Sequence, residues 1–144
     1  MIAFMMRSLV IASFVMMTLL RGCFDSSTDN DEVPPGAYSY TAYDSSGVEV
    51  VTGWLDFDFV DEENIEGRWE LKPVGSPENI GPQIGDGNLK GMIKENVISI
   101  NLNPGWVDNN VVLYGDYAEE SFSGNWQWVT FAGPTSGGTF EAVR

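Results

Sequence analysis

The chain has 144 residues, of which 21 are acidic, seven are basic and none is histidine. Its net charge of −14 excludes nucleic-acid binding and docking to anionic lipid, because both depend on clustered Lys and Arg. Without histidine and with one cysteine, the usual zinc sites and catalytic triads lack their side chains, so we expect no catalytic residue, metal or cofactor.

The first 22 residues have the pattern of an export signal. Arg7 precedes an apolar segment that covers residues 8–20. This segment is too short for a bilayer core, which requires about 20 apolar residues, but it fits the apolar region of a secretory signal. The pattern predicts a signal peptide over residues 1–22.

The predicted signal ends at the only cysteine of the chain. The motif Leu20-Arg21-Gly22-Cys23 resembles the lipobox of bacterial lipoproteins, in which an apolar residue and two small residues precede a cysteine. Arg21 stands where that family usually has a small residue. The resemblance implies a diacylglyceryl lipid on Cys23, cleavage just before it, and lipid anchoring in the bacterial cell envelope, at the outer membrane or a periplasmic or extracellular face. A plain signal peptide or an uncleaved anchor is the alternative.

An acidic segment follows the cysteine. Residues 24–35, FDSSTDNDEVPP, are polar, acidic and end in proline, as in a solvated linker. The spacing of the acids lacks the alternating ligands, the turn glycine and the closing glutamate of an EF-hand. Residues 23–35 are therefore predicted to be a tether, with no calcium site. Cleavage before Cys23 would leave five basic and 21 acidic side chains.

Residues 36–144 are predicted to form one all-β domain. Short alternating segments rich in Val, Ile, Tyr, Phe and Trp are separated by Gly, Asn, Pro and acidic turns. Their connections are too short for parallel crossovers, and closure into a barrel removes exposed edges. The sequence predicts an eight-stranded antiparallel up-and-down β-barrel. The predicted strands are Tyr38–Tyr43, Val48–Val60, Ile65–Val74, Asn88–Lys94, Val97–Asn103, Val111–Tyr117, Phe122–Thr130 and Thr139–Val143.

Two predicted hairpins repeat one pattern. "DEENIEGRWEL" at 61–71 and "AEESFSGNWQW" at 118–128 share two acids, an apolar residue and Gly-x-Trp. Alternation places one residue in two toward the interior, and glycine leaves room for the indole of a neighbouring strand. The predicted interior positions are Leu55, Phe57, Phe59, Ile65, Gly67, Trp69, Leu71, Val111, Leu113, Tyr117, Phe122, Gly124, Trp126 and Trp128, with Tyr114 competing for the interior on the sixth strand.

Eight antiparallel strands with the tripeptides Gly67-Arg-Trp69 and Gly124-Asn-Trp126 resemble the lipocalin and avidin barrels, together called calycins. The lipocalin tripeptide lies near the start of the barrel, whereas here the tripeptides lie on the third and seventh strands. The resemblance implies a small barrel with a ligand entrance at one end, and it does not transfer any binding residue.

The connections differ between the two ends of the predicted barrel. Those at 61–64, 94–96 and 118–121 are short and acidic, whereas 73–87, 104–110 and 131–138 are long and rich in Gly and Pro, with a short turn at 44–47. Small barrels commonly bind ligands at such a mouth. The candidate ligand-binding residues are Gln83, Trp106, Asn109, Asn110, Trp128 and Phe131.

Three classes of function remain at this point. The first is a lipid-anchored binding protein for a small apolar, aromatic or glycan ligand. The second is a structural or interaction lipoprotein with a filled barrel that contacts an envelope protein. The third, an enzyme using paired carboxylates, is the least favoured, because most acids fall at turns or on outward strand positions.

Overall fold

The structure is a computed structural model and describes residues 33–144. The predicted signal peptide, Cys23 and the tether as far as Glu32 lie outside the described residues. Eight strands pair in chain order, each antiparallel to the next, and β8 pairs with β1 to close the barrel. This confirms the predicted fold. The strands are β1 Tyr38–Asp44, β2 Glu49–Phe59, β3 Asn64–Pro73, β4 Gly85–Lys94, β5 Val97–Asn101, β6 Asn109–Ala118, β7 Ser121–Thr130 and β8 Gly133–Val143.

The largest differences from the predicted strands lie in glycine-rich segments. β8 begins at Gly133, and β4 begins at Gly85; the predictions that they begin at Thr139 and Asn88 are wrong. Residues 133–138 have low strand propensity, but all except Thr135 pair directly with β7, and pairing overrides propensity. The predicted long loop over residues 131–138 is therefore a tight turn at 131–132.

Alternating side chains of the eight strands fill the barrel. Leu55, Trp69 and Trp126 are buried as predicted, and Phe122 contacts the rings of Tyr38 and Phe140 edge-on at centroid distances of 5.0 and 5.7 Å. The interior is a packed aromatic and aliphatic core.

Two interior predictions near strand ends have opposite outcomes. Phe59 is 51% exposed, so its predicted interior position is wrong: it is the last residue of β2, beside the turn, where the core no longer covers it. On β6, Tyr114 is 59% exposed while Tyr117 packs against the core, which confirms the preferred alternation.

The two Gly-x-Trp tripeptides have the same three-dimensional role. Trp69 pairs with Gly87 on β4, and its indole Nε1 donates to the Leu102 carbonyl at 2.7 Å, just beyond β5. Trp126 pairs with Gly138 on β8, and its Nε1 donates to the carbonyl of Tyr43 on β1 at 2.8 Å. Each indole thus crosses beneath a glycine of the next strand and reaches the strand after it.

The two ends of the barrel carry different connections. The short connections at 60–63, 95–96 and 119–120 lie at the end where β1 begins and β8 finishes; we call this the closed end. The connections at 45–48, 74–84, 102–108 and 131–132 lie at the opposite, loop-rich end. At the closed end, Arg144 Nε donates to the Gly36 carbonyl at 2.8 Å, and the Tyr38 hydroxyl donates to the Glu119 carbonyl at 2.8 Å. The described chain therefore enters and leaves the domain at the closed end.

Candidate functional site

The connection 74–84, which we call the lid loop, covers the loop-rich end of the barrel. Gln83 is fully buried, and its Nε2 donates to the Ile80 carbonyl at 2.6 Å. Its Oε1 accepts from the Tyr40 hydroxyl at 3.5 Å, and burial raises the pKa of Tyr40 above its ordinary value. Ile80 packs against the core. Gln83 thus uses both ends of its amide within the chain and holds the lid loop in place.

A second amide ties the lid loop to the neighbouring connection. Asn103 Nδ2 donates to the Pro82 carbonyl at 2.8 Å, and its Oδ1 accepts from the backbone N–H of Val111 at 3.0 Å. The backbone N–H of Trp106 donates to the Asn103 carbonyl at 3.0 Å and closes a turn. These bonds fix the position of Trp106, whose side chain is nevertheless 57% exposed.

One cleft of about 460 Å³ lies between Trp106 and the lid loop. Trp128 and Asn109 contribute to its lining, and Trp128 Nε1 donates to Asn109 Oδ1 at 2.6 Å. Gly81, with a φ of +66°, lies against Trp128, where an added Cβ would come within 2.6 Å of the ring. Both the backbone conformation and the close approach favour glycine at this position. The cleft brings together three predicted residues: Trp106, Asn109 and Trp128.

A second cleft, of about 370 Å³, lies on the other side of Trp106. Ile84, Asn88 and Asn103 contribute to its wall, together with the edge of Trp69. Ile84 is 41% exposed. Trp106 therefore separates two shallow clefts that both combine apolar surface with side-chain amides.

The remaining predicted residues lie away from these clefts. Phe131 is at the β7–β8 turn and is 89% exposed. Asn110 precedes the inward-facing Val111 on β6, so alternation turns it to the outer wall. Its Oδ1 is buried and has no hydrogen-bond partner within the part of the chain that the structure describes.

The lid-loop residues Asn79, Gly81 and Ile84 line the clefts but were not predicted. Their signal in the sequence is only a Gly/Pro-rich loop. Contacts with the barrel, above all the burial of Gln83, determine which side chains of such a loop turn inward. Sequence periodicity does not carry this information.

Within residues 33–144, no group of three or more Cys, Asp or Glu side chains is placed to hold a metal ion. The same residues include no helix long and apolar enough to cross a membrane. Comparison with protein-family models, with curated proteins and with solved structures found no match to this chain.

Proposed function

We propose that this protein is a lipid-anchored binding protein of the bacterial cell envelope, and that its loop-rich end binds a glycan. The observation that carries the proposal is Trp106, an indole that stays more than half exposed on a loop fixed by hydrogen bonds. Trp and other aromatic side chains are enriched where proteins bind ligands, because one flat side chain supplies a large contact area at little entropic cost.

A glycan fits the two clefts better than an apolar ligand does. Packed side chains fill the interior and the lid loop covers it, so a ligand would have to bind at the surface. Sugar rings combine an apolar face, which packs on an indole, with hydroxyl groups, which pair with amides such as those of Asn79 and Asn109. The acidic chain disfavours anionic ligands. That the protein binds its ligand without catalysis stays a prediction from the sequence.

The topology supports an outward orientation of these clefts. The described chain enters β1 at the closed end, so a tether ending at Pro35 would place that end toward the membrane. The twelve residues 24–35 reach about 40 Å at full extension. That length would hold the acidic turns clear of anionic headgroups and leave Trp106 facing away from the membrane.

If Cys23 carries the membrane anchor, we expect Cys23→Ser to abolish membrane attachment of the mature protein. Because the thiol is the attachment point that the lipobox resemblance implies, the variant is expected to be released from membranes or to accumulate as a precursor. Fractionation and intact mass measurement of the wild-type and variant proteins report both outcomes. Unchanged membrane retention together with an unchanged mature mass would contradict lipidation at this cysteine.

The glycan site predicts that Trp106→Ala weakens binding by about tenfold or more, as expected for loss of a central aromatic contact. The probes are chitohexaose, cellohexaose and maltohexaose, titrated against ¹⁵N-labelled full-length protein in detergent. Binding is followed by NMR through the indole N–H signal of Trp128, which lies in the same cleft and survives the mutation.

The control is Phe59→Ala, which removes an exposed aromatic side chain at the closed end and should leave the affinity unchanged. If none of the three sugars shifts the indole signals, the result would count against the glycan site. That outcome would favour the second candidate function, contact with an envelope protein, for which Val107 and Phe131 at the loop tips are 90% and 89% exposed.

A further inference from the structure

The outer wall of the barrel carries a third depression, larger than the two clefts beside Trp106. This outer groove of about 860 Å³ extends over β6, β7 and β8 and reaches the β1–β2 turn. Tyr114 lines it and is 59% exposed. The lining residues used below are Val112, Tyr114, Asn125, Gln127, Gly137 and Thr139.

The two Gly-x-Trp hairpins place this groove in an internal repeat. On β2, β3 and β4, Leu55 pairs with Trp69 and Trp69 with Gly87. On β6, β7 and β8, Leu113 pairs with Trp126 and Trp126 with Gly138. The pairings next to Trp69 and next to Trp126 also correspond residue for residue. Each outward position of the groove therefore has a counterpart on β2, β3 or β4.

At those counterpart positions the outer wall has only a small depression, of about 340 Å³. Larger or charged side chains occupy it, and Arg68 lies 3.8 Å from the Asp56 carboxylate. In the outer groove, every one of these positions has an uncharged residue. The corresponding pairs are Trp54 and Val112, Asp56 and Tyr114, Arg68 and Asn125, Glu70 and Gln127, Asp86 and Gly137, and Asn88 and Thr139.

Two differences between the repeats contribute to the extra volume. Val112 is much smaller than Trp54, and Gly137 has no side chain where the counterpart has Asp86. Beneath them, the Trp126 indole lies against the groove floor under Gly138, where an added Cβ would collide with the Tyr43 carbonyl and lie 2.9 Å from the indole Nε1. One repeat thus has a large open groove where the other has a smaller depression lined by charged side chains.

The chemistry of the outer groove selects its ligand class. Among the described residues that line it, Asp44 is the one charged residue, and its Oδ1 already accepts from the Ser46 N–H, the Ser46 hydroxyl and the Val48 N–H. The Ser46 hydroxyl bond, followed by the backbone bonds, lowers the pKa of Asp44 below its ordinary value. An anion would meet this carboxylate on an acidic chain, and a cation would find a single carboxylate, one oxygen of which already accepts three hydrogen bonds.

An apolar ligand fits no better, because it would remove water from the amides of Asn125 and Gln127 without replacing their hydrogen bonds. An uncharged sugar chain satisfies both requirements. Its hydroxyl groups pair with the amides and with Thr139, while its ring faces pack on Tyr114 and Val112.

We propose that the outer groove binds an uncharged oligosaccharide, at a site separate from the clefts beside Trp106. This second site goes beyond the proposed function, because binding there requires neither Trp106 nor the lid loop.

The test is a titration of ¹⁵N-labelled full-length protein in detergent with maltohexaose and cellohexaose, followed by NMR. At least one sugar should shift the backbone signals of Tyr114, Asn125 and Gln127. Val112→Trp introduces the residue found at the counterpart position, Trp54. The larger side chain would fill the groove and should weaken this binding by about tenfold or more. Tyr114→Ala, at an exposed position with little folding risk, should also weaken it.

Two matched controls separate the groove from other sites. Trp54→Val makes the reciprocal exchange in the filled counterpart, and Trp106→Ala removes the indole of the loop-rich end; neither should change the affinity measured at the groove signals. Three results would each overturn the proposal: no shift at these signals with either sugar, equal shifts with the anionic hexagalacturonate, or binding that survives both Val112→Trp and Tyr114→Ala. Because Trp106→Ala reports on the other site, the two proposals fail independently.

Discussion

Replacement of Trp69 or Trp126 with alanine is expected to lower the free energy of unfolding by about 3–5 kcal/mol, the range for deletion of a buried aromatic side chain. Both side chains are at most 3% exposed. Each mutation also removes the donor to a carbonyl two strands away, which leaves that acceptor without its partner. Because the two indoles have equivalent positions in the repeat, the two losses should be similar. Urea denaturation measures them.

Trp106→Ala is the matched control, since it deletes the same side chain from an exposed loop position. Its effect on the free energy of unfolding should be below about 1 kcal/mol, because surface substitutions outside the core cost little. Similar unfolding midpoints for all three variants would mean that the inward face of β3 and β7 has been assigned wrongly.

The strand order and most of the core could be predicted because β3 and β7 alternate strictly. A period of two in Ile65, Gly67 and Trp69 leaves only one way to face the interior. The prediction failed where this signal fades. Phe59 continues the alternation of β2 but lies at the strand end, and residues 133–138 have no apolar alternation yet still pair with β7.

The candidate site could be predicted only in part, for a related reason. An exposed aromatic residue in a Gly/Pro loop indicated Trp106, the same predicted loop contained Asn109, and strand alternation placed Trp128 on the inward face of the seventh strand. The inward turn of Gln83 depends on the whole path of the lid loop, and short-range patterns do not specify this path.

The outer groove did leave a signal in the sequence. The outward residues beside the two Gly-x-Trp tripeptides are Arg68 and Glu70 in one repeat but Asn125 and Gln127 in the other. This contrast in charge is visible once the hairpins are aligned. The contrast indicates a groove only when Gly137 and Gly138 lie on a strand paired with β7. The sequence prediction placed both glycines in a loop, so the predicted fold lacked the strand that forms one side of the groove.

Gly87→Ala is expected to lower the free energy of unfolding by about 1–3 kcal/mol, the usual cost of overpacking a core. The backbone of Gly87 does not have a positive φ, so backbone strain is not the cause. An added Cβ would instead lie 2.9–3.0 Å from Cε2, Cζ2 and Nε1 of the Trp69 indole. The indole is pinned by its bond to Leu102 and cannot move away without breaking it.

A double-mutant cycle with Trp69→Leu isolates this contact, because leucine lacks all three of the indole atoms that the new methyl group would meet. In the Trp69→Leu background, Gly87→Ala should be neutral or stabilising by about 0.5–1 kcal/mol, since alanine loses less backbone entropy than glycine in a strand. The coupling between the two sites should therefore exceed about 1 kcal/mol. Gly105→Ala is the control, because its added Cβ meets nothing within 4 Å and should cost the same in both backgrounds. Additive effects of Gly87→Ala and Trp69→Leu would show that the glycine is not there to make room for the indole.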